Sequence, residues 1–344
     1  MTRQSATFDA LSDPFGESRP VIARRHLQLL GGRFEFESNS HQILRLVESA
    51  YGDLPPHRLA PVAPKLRIKL VLGTALRSRS RSEPPPLAML SGAGFLGGAT
   101  DSSNLVIVSP PERSALVVMS PGMARFAYHA RYEMIEFAVF TLAARAQGLV
   151  ALHAACVSQG RQGLLLMGPS GSGKSTVALQ CLLNGFEFLA EDGVFVAPHS
   201  MLATGVANFL HVRSDSVDWI ERARDAAVIR RSPIIRRRSG VRKYEIDLRR
   251  PEYRLAARPP KIAAVIFLSS QSAGRRPLLR ALAKSDLLRK LAAEQVYAAN
   301  QPEWEVFVRN ASRLNVFELR RGRHPREAVD ALQTLMGAPA AGSR

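Results

Sequence analysis

The chain has 344 residues, 46% hydrophobic and 22% charged, which leaves room for two domains and excludes a mini-protein, a disordered chain and a collagen-like repeat. Its 47 Lys and Arg outnumber 29 Asp and Glu, and the net charge of +18 favours phosphates, acidic peptides, nucleic acid or lipid headgroups as partners. Two cysteines cannot build a disulfide framework, and no apolar N-terminal stretch or run of about 20 apolar residues occurs. We therefore expect a cytoplasmic protein without a membrane span.

The residue pattern of 1–147 predicts an N-terminal α+β module. Alternating apolar and polar residues indicate strands, and apolar residues at helical spacing indicate helices. The strands are predicted at 33–38, 65–72, 105–108 and 115–119, and the helices at 43–51 and 132–146. The stretch RSRSRSEPPP at 77–86 is typical of a linker or a long solvated loop.

A second domain is predicted at 148–336, with a flexible tail at 337–344. Short apolar strands here alternate with helical segments, which favours an α/β fold with a mixed sheet. The strands are predicted at 150–157, 164–167, 186–190, 194–197, 262–268 and 315–319, and the helices at 174–183, at 285–297 and from 325 onward.

One motif predicts a phosphate site. The segment GPSGSGKS at 168–175 matches G-x-x-x-x-G-K-[ST], with an apolar strand before it and a helix after it. Glycines let backbone N–H groups turn toward phosphate oxygens, a lysine reaches the β and γ phosphates, and a hydroxyl binds Mg²⁺. The residues expected to bind ATP and Mg²⁺ are Gly168, Ser170, Gly171, Ser172, Gly173, Lys174, Ser175 and Thr176.

Two carboxylates and a histidine extend this candidate site. Glu191 and Asp192 end the strand after the motif helix, where a carboxylate can lie near Mg²⁺ or accept a proton from an attacking hydroxyl. The plainer alternative is a polar hairpin turn, since Asp-Gly is common in turns. His153, on the strand predicted to pair with the motif strand, is either a core histidine or a partner of the catalytic carboxylate.

Together these segments resemble the bacterial HPr kinase/phosphorylase family and its HPr kinase-related relatives. The resemblance rests on three segments in the same order and at similar spacing: LHAACV, GPSGSGKST and NGFEFLAEDGV. It covers residues 149–215 and implies a P-loop core of the phosphoenolpyruvate-carboxykinase-like type. The GGRFEFES and ESAYGDLP segments before it are similar to those of the HPr kinase-related proteins, so HPr itself is not the expected acceptor.

The resemblance also implies roles for individual residues. Lys174 would hold the γ-phosphate, Ser175 the metal with Glu191 and Asp192, and Asp192 would be the base, assisted by His153. His211 stands where the family has a metal-associated Glu, which puts the reverse, phosphorylase reaction in doubt. Arg213, two residues on, is a candidate to neutralise the transferring phosphate.

The leading hypothesis is therefore an ATP-dependent kinase that phosphorylates a Ser or Thr hydroxyl of a protein or peptide. Twelve Lys and Arg against three acids at 230–261 either recruit an acidic acceptor or form a solvated loop. Two alternatives remain open: a P-loop ATPase or nucleotide-dependent binding protein acting on nucleic acid, and a non-catalytic nucleotide sensor. Nucleic acid is the less expected partner because the basic stretch lacks a recognition helix or stacking motif. Self-association into a homo-oligomer is left open.

Overall fold

The computed structural model describes residues 20–73 and 83–337. Most of the predicted linker at 77–86 and nearly all of the predicted tail at 337–344 lie outside these residues. The chain forms two compact units. Of the described residues, 20–27, 34–50, 65–73 and 83–142 belong to the first, and 28–33, 51–64 and 143–337 belong to the second.

The part of the chain before Gly148 forms a seven-stranded mixed sheet in the order β1-β2-β3-β7-β6-β5-β4. Its strands are β1 Ala23–Leu29, β2 Gly32–Ser38, β3 Lys65–Leu72, β4 Ala88–Gly92, β5 Phe95–Asp101, β6 Asn104–Ser109 and β7 Ser114–Met119. Its helices are α1 His41–Tyr51, α2 Pro121–Ala124, α3 Ala127–His129 and α4 Glu136–Gln147, with a π-helical turn at Ala130–Ile135.

Side-chain alternation explains the predicted strands of this sheet. On β3, Leu66, Ile68 and Leu70 are buried on one face, as the period of two requires. The predicted strands at 33–38 and 65–72 and the hairpin between 105 and 119 are confirmed. The helix predicted at 132–146 is interrupted, because its first part is the π-helical turn.

The second unit is built on a nine-stranded mixed sheet in the order β11-β9-β10-β17-β13-β12-β8, extended by β19 on β17 and by β18 on β19. Three further strands form a separate sheet in the order β14-β16-β15. The strands are β8 Val150–Leu152, β9 Ala155–Gln159, β10 Gln162–Met167, β11 Glu187–Ala190, β12 Val194–Ala197, β13 Leu202–Gly205, β14 Phe209–Val212, β15 Ile234–Arg236, β16 Arg242–Asp247, β17 Lys261–Ser272, β18 Leu279–Ala281 and β19 Asn315–Arg321.

Helices cover both faces of this large sheet. They are α5 Lys174–Leu183, α6 Ser214–Val217, α7 Ala223–Arg230, α8 Lys284–Glu294, α9 Trp304–Ala311 and α10 Pro325–Gly337, with a short 3₁₀ helix at Ala298–Asn300. On β10, Leu164 and Leu166 join the core under α5 and α10, whereas Leu165 and Met167 join the core under α8 and α9. The mixed α/β class is thus confirmed. Among the described residues, no helix combines the length and apolarity needed to cross a membrane.

The prediction of a single strand at 150–157 is wrong. The chain breaks at His153 into β8, which pairs with β12, and β9, which pairs with β10 and β11. The buried side chain of Gln295 accepts a hydrogen bond from the His153 N–H at 2.9 Å and donates one to its carbonyl at 3.0 Å. Since a side chain supplies both hydrogen bonds, His153 leaves the ladder and does not lie on the strand that pairs with β10.

The order of the strands brings four strand ends to one edge. β10 runs parallel to β17, and β17 runs parallel to β19. β9 is antiparallel to both β10 and β11, so β11 also runs in the direction of β10. In open α/β sheets ligands bind at the carboxyl ends of the strands. Here that edge carries the segments after β10, β11, β17 and β19.

Gly205 on β13 lets that strand approach the end of β11. A Cβ at Gly205 would lie 2.5 Å from Ala190 Cβ and 2.9 Å from the Leu189 carbonyl oxygen. We expect Gly205→Ala to lower the free energy of unfolding of the second unit by about 1–3 kcal/mol, because a tightly packed core must shift. Urea unfolding followed by tryptophan fluorescence measures this, since Trp219 and Trp304 both belong to that unit. The control Gly337→Ala meets nothing within 4 Å and should unfold like wild type; equal midpoints for both variants would contradict the prediction.

Candidate active site

The loop between β10 and α5 is shaped by glycines. Gly168, Gly171 and Gly173 have φ values of +147°, +82° and +97°, which side-chain-bearing residues rarely adopt. A Cβ at Gly168 would also lie 2.7 Å from Ser172 Oγ and 3.1 Å from the Leu268 carbonyl oxygen. No side chain caps the first turn of α5. A glycine-shaped loop followed by the uncapped N-terminus of a helix is the kind of backbone site that binds phosphate.

Lys174 is the first residue of α5, and its side chain folds back over the loop. Its Nζ donates hydrogen bonds to the carbonyl oxygens of Gly168 at 2.6 Å and Pro169 at 3.3 Å. Burial lowers the pKa of Lys174, although the negative charges of Asp192, Glu294 and Glu191 oppose that shift. Two carbonyl oxygens hold the ammonium group at the loop. Because burial disfavours its charge, an anionic ligand at the loop would stabilise the protonated form.

Glu191 is a buried carboxylate at the end of β11. Ser175 Oγ donates to its Oε1 at 2.5 Å, and the His211 backbone N–H donates to its Oε2 at 2.8 Å. Lys243 Nζ lies 3.8 Å from Oε1. Burial alone would raise the pKa of Glu191, but the hydrogen bonds and charges of His211, Lys243 and Ser175 outweigh it and lower the pKa to about 2. Glu191 is thus a charged group locked beside the first turn of α5.

His211 is buried between two carboxylates. Its Nδ1 lies 3.5 Å from Glu191 Oε2, and its Nε2 lies 3.5 Å from Glu245 Oε1. Strands β14 and β16 are paired antiparallel, and their register places Glu245 opposite His211. Burial by itself would lower the pKa of His211, but the hydrogen bonds to Glu191 and Glu245 raise it. His211 thus lies between Glu191, which follows β11, and Glu245 of the neighbouring strand β16.

Asp192 points away from this buried cluster. His153 Nδ1 lies 3.1 Å from Asp192 Oδ1, and Arg237 Nη1 lies 3.5 Å from Asp192 Oδ2. The side chains of Asp192 and His153 are 45% and 52% exposed, so both open onto solvent. Adjacent carboxylates therefore have different surroundings: Glu191 is buried against Ser175, and Asp192 faces outward beside an imidazole.

A cleft of about 650 Å³ brings the predicted site residues together. Its lining includes these predicted residues: His153, Ser170, Gly171, Ser172, Gly173, Lys174, Ser175, Thr176, Glu191, Asp192 and Arg213. Gly168 lies in the same loop but not on the lining. Arg213 is exposed, and its Nη2 lies 3.1 Å from Asp215 Oδ2.

Several lining residues were not predicted. Arg237, Ser239, Val241 and Lys243 line the cleft from the hairpin of β15 and β16. Their spacing of two within the basic stretch at 230–261 is the signal that could have found them, since alternate residues of a hairpin share a face. The end of β19 adds Arg320 and Arg321, and the segment after it adds Arg323 and His324. Trp219 follows α6. No local pattern marks these residues, because only the strand order brings them to the cleft.

The residues at the loop fit a magnesium ion bound together with phosphate. No cluster of three or more His, Cys, Asp or Glu in the described ranges could hold a metal by itself. Mg²⁺ needs no such cluster, since it keeps several waters and is bound by one or two carboxylates with substrate phosphates. Ser175 Oγ and Glu191 Oε1 lie 2.5 Å apart beside the glycine loop, so a hydroxyl and a carboxylate oxygen are available there.

Comparison with solved structures finds similarity where comparison with sequence families does not. No family model and no curated protein matches the chain. Among solved structures, it is similar to the Hpr(Ser) kinase/phosphatase from Coxiella burnetii at 13% identity and a TM-score of 0.23, over 54% of this chain and 97% of that chain. A TM-score this low does not establish a shared fold, so the functional conclusion depends on the site geometry.

The environment of His211 predicts how stability changes with pH. The folded-state pKa lies above the ordinary value of 6.5, so the protonated imidazole contributes stability that is fully present below pH 6.5 and is lost as pH rises through the folded pKa. The difference in free energy of unfolding between wild type and His211→Asn should therefore shrink as pH rises above 6.5. Urea unfolding across this range measures it. His199→Asn, which removes a mostly exposed imidazole, is the control, and a difference that grows with pH would refute the assignment.

Proposed function

We propose that this protein is an ATP-dependent kinase that transfers the γ-phosphate to a hydroxyl of a protein or peptide. The observation that carries the proposal is that Glu191 and Asp192, adjacent beside the glycine loop, have different surroundings. Glu191 accepts a hydrogen bond from Ser175, and Asp192 opens onto the cleft beside His153. Phosphoryl transfer needs a charge-neutralising group at the phosphates and a group that positions or deprotonates the nucleophile.

The phosphate end of the site is supplied by the loop and α5. The backbone amides of 168–175 would surround the phosphate oxygens, and Lys174 would exchange its loop carbonyls for the β and γ phosphates. Ser175 and Glu191 would hold Mg²⁺, which supplies charge neutralisation across the β and γ phosphates. The buried, ionised state of Glu191 keeps a full negative charge at that position.

The acceptor end of the site is supplied by Asp192. Its carboxylate would accept the proton of the acceptor hydroxyl as the hydroxyl oxygen bonds to the γ-phosphorus and the bond to the bridging oxygen of ADP breaks. His153, 3.1 Å from Oδ1, would orient this carboxylate toward the nucleophile. Arg237, 3.5 Å from Oδ2, keeps a positive charge beside it.

The charge of the cleft supports an acidic acceptor segment. Arg213 after β14 and Arg237 after β15 line it, as do Arg321 at the end of β19 and Arg323 beyond it. Arg321 and Arg323 are exposed and have no acidic partner among the described residues. A peptide carrying Asp or Glu near its Ser or Thr would be attracted by this field.

Asp192→Asn should leave MgATP binding unchanged and lower single-turnover phosphate transfer by about 10²–10⁴-fold, because the amide cannot accept the proton. Transfer from γ-labelled ATP to acidic Ser/Thr peptides, with calorimetry for binding, measures both quantities. Lys174→Ala should lose both binding and transfer.

The matched control is Asp330→Asn, which alters an exposed aspartate paired with Arg326 and absent from the cleft lining. It should behave like wild type. If Asp192→Asn transfers phosphate at the wild-type rate, Asp192 is not the base. ATP hydrolysis that is stimulated by nucleic acid and falls steeply with salt would instead favour the nucleic-acid alternative.

His153→Ala should lower transfer by about 10²-fold with little change in ATP affinity, because it removes an orienting contact rather than the base. A pH profile of transfer that changes shape in the variant would distinguish this role from a structural one. An unchanged transfer rate combined with a lower unfolding midpoint would make His153 a structural residue only.

A further inference from the structure

We propose that Trp219 and His324, which line the cleft together with the glycine loop, form a nucleobase-binding platform. The inference deepens the proposed function, since it assigns the position of the nucleoside of the bound nucleotide. Three observations support it: the attachment of the segment 216–219 to α5, the geometry of the Trp219–His324 pair, and the apolar residues that line the cleft.

The segment 216–219, which carries Trp219, is attached to α5, the helix that follows the glycine loop. Thr176 Oγ1 and Ser216 Oγ are hydrogen-bonded at 2.8 Å, and the buried Gln180 side chain donates to the Trp219 carbonyl oxygen at 2.9 Å. Thr176 and Gln180 are four residues apart, so they lie on one face of α5. Two contacts on one helix face hold the segment 216–219 at a set distance from the phosphate loop.

The aromatic pair leaves an indole face available. The rings of Trp219 and His324 have centroids 5.2 Å apart and an interplanar angle of 77°. In this edge-to-face arrangement His324 covers at most one face of the indole. His324 is itself oriented, because its Nδ1 accepts a hydrogen bond from the Arg326 N–H at 3.1 Å. Trp219 remains 37% exposed, unusual for a tryptophan that serves only the core.

The cleft lining includes apolar residues besides Trp219. Val177, Leu319, Pro325 and Ala328 line the cleft together with the aromatic pair. Val177, Leu319 and Ala328 also belong to the buried core under α5 and α10. An apolar, aromatic surface suits a planar base and does not suit a phosphate or a carboxylate.

The direction of a bound nucleotide follows from the positions of these contacts on α5. The γ-phosphate would lie at Lys174, Ser175 and Glu191, and the nucleoside would extend from there past Thr176 and Ser216. The Gln180–Trp219 contact places Trp219 about one helical turn further along α5 than the Thr176–Ser216 contact. Because stacking uses the π face of a base, the platform should accept both adenine and guanine.

The test compares a nucleotide with its phosphate chain alone. MgATP, MgGTP and magnesium tripolyphosphate are titrated into wild type, Trp219→Ala and Trp219→Phe by calorimetry, with circular dichroism to check folding. Trp219→Ala should weaken ATP and GTP binding about 5- to 150-fold and leave tripolyphosphate binding unchanged, whereas Trp219→Phe should retain most of the affinity. In a Trp304→Phe background, ATP should quench the remaining Trp219 fluorescence and tripolyphosphate should not.

The outcomes separate this inference from the proposed function. If folded Trp219→Ala binds ATP as tightly as wild type while wild type binds tripolyphosphate, the platform is wrong and the phosphate site stands. Equal weakening of ATP and tripolyphosphate would also overturn the platform. If wild type binds none of the three ligands, the proposed kinase function itself fails.

Discussion

The candidate site depends on one buried charge, the Glu191 carboxylate. A buried carboxylate is strongly destabilising unless it is paired and hydrogen-bonded. Glu191 receives hydrogen bonds from Ser175 and from the His211 backbone, and Lys243 lies 3.8 Å away. These partners come from α5, β14 and β16, so satisfying one charge joins the large sheet, the phosphate-loop helix and the small three-stranded sheet around a single point.

This arrangement also gives neighbouring acids different surroundings. Glu191 and Asp192 lie in the bend that follows β11, where Glu191 is buried and Asp192 is 45% exposed. Asp192 then meets His153, which is displaced from the strand ladder by its backbone hydrogen bonds to Gln295. One strand end thereby places two carboxylates with different surroundings beside the glycine loop.

The parts of the site that could be predicted are those encoded locally. The phosphate loop is contiguous, and Glu191 and Asp192 follow the strand after its helix, so their meeting needs only right-handed strand–helix–strand geometry. The break at His153 could not be predicted, because its cause, Gln295, is 142 residues away in sequence. The pairing of His211 with Glu245 likewise depends on the register between β14 and β16, and Trp219 meets His324 only through long-range packing.

The most direct test of the account is a crystal structure with Mg²⁺ and a non-hydrolysable ATP analogue. The account predicts the metal on Ser175 with Glu191 beside it and the γ-phosphate on Lys174. The Asp192 carboxylate should lie about 5–6 Å from the γ-phosphorus, the distance that one intervening hydroxyl would span. A nucleotide bound elsewhere, or one whose γ-phosphorus lies more than about 10 Å from Asp192, would contradict it, because no single hydroxyl could then connect base and phosphate.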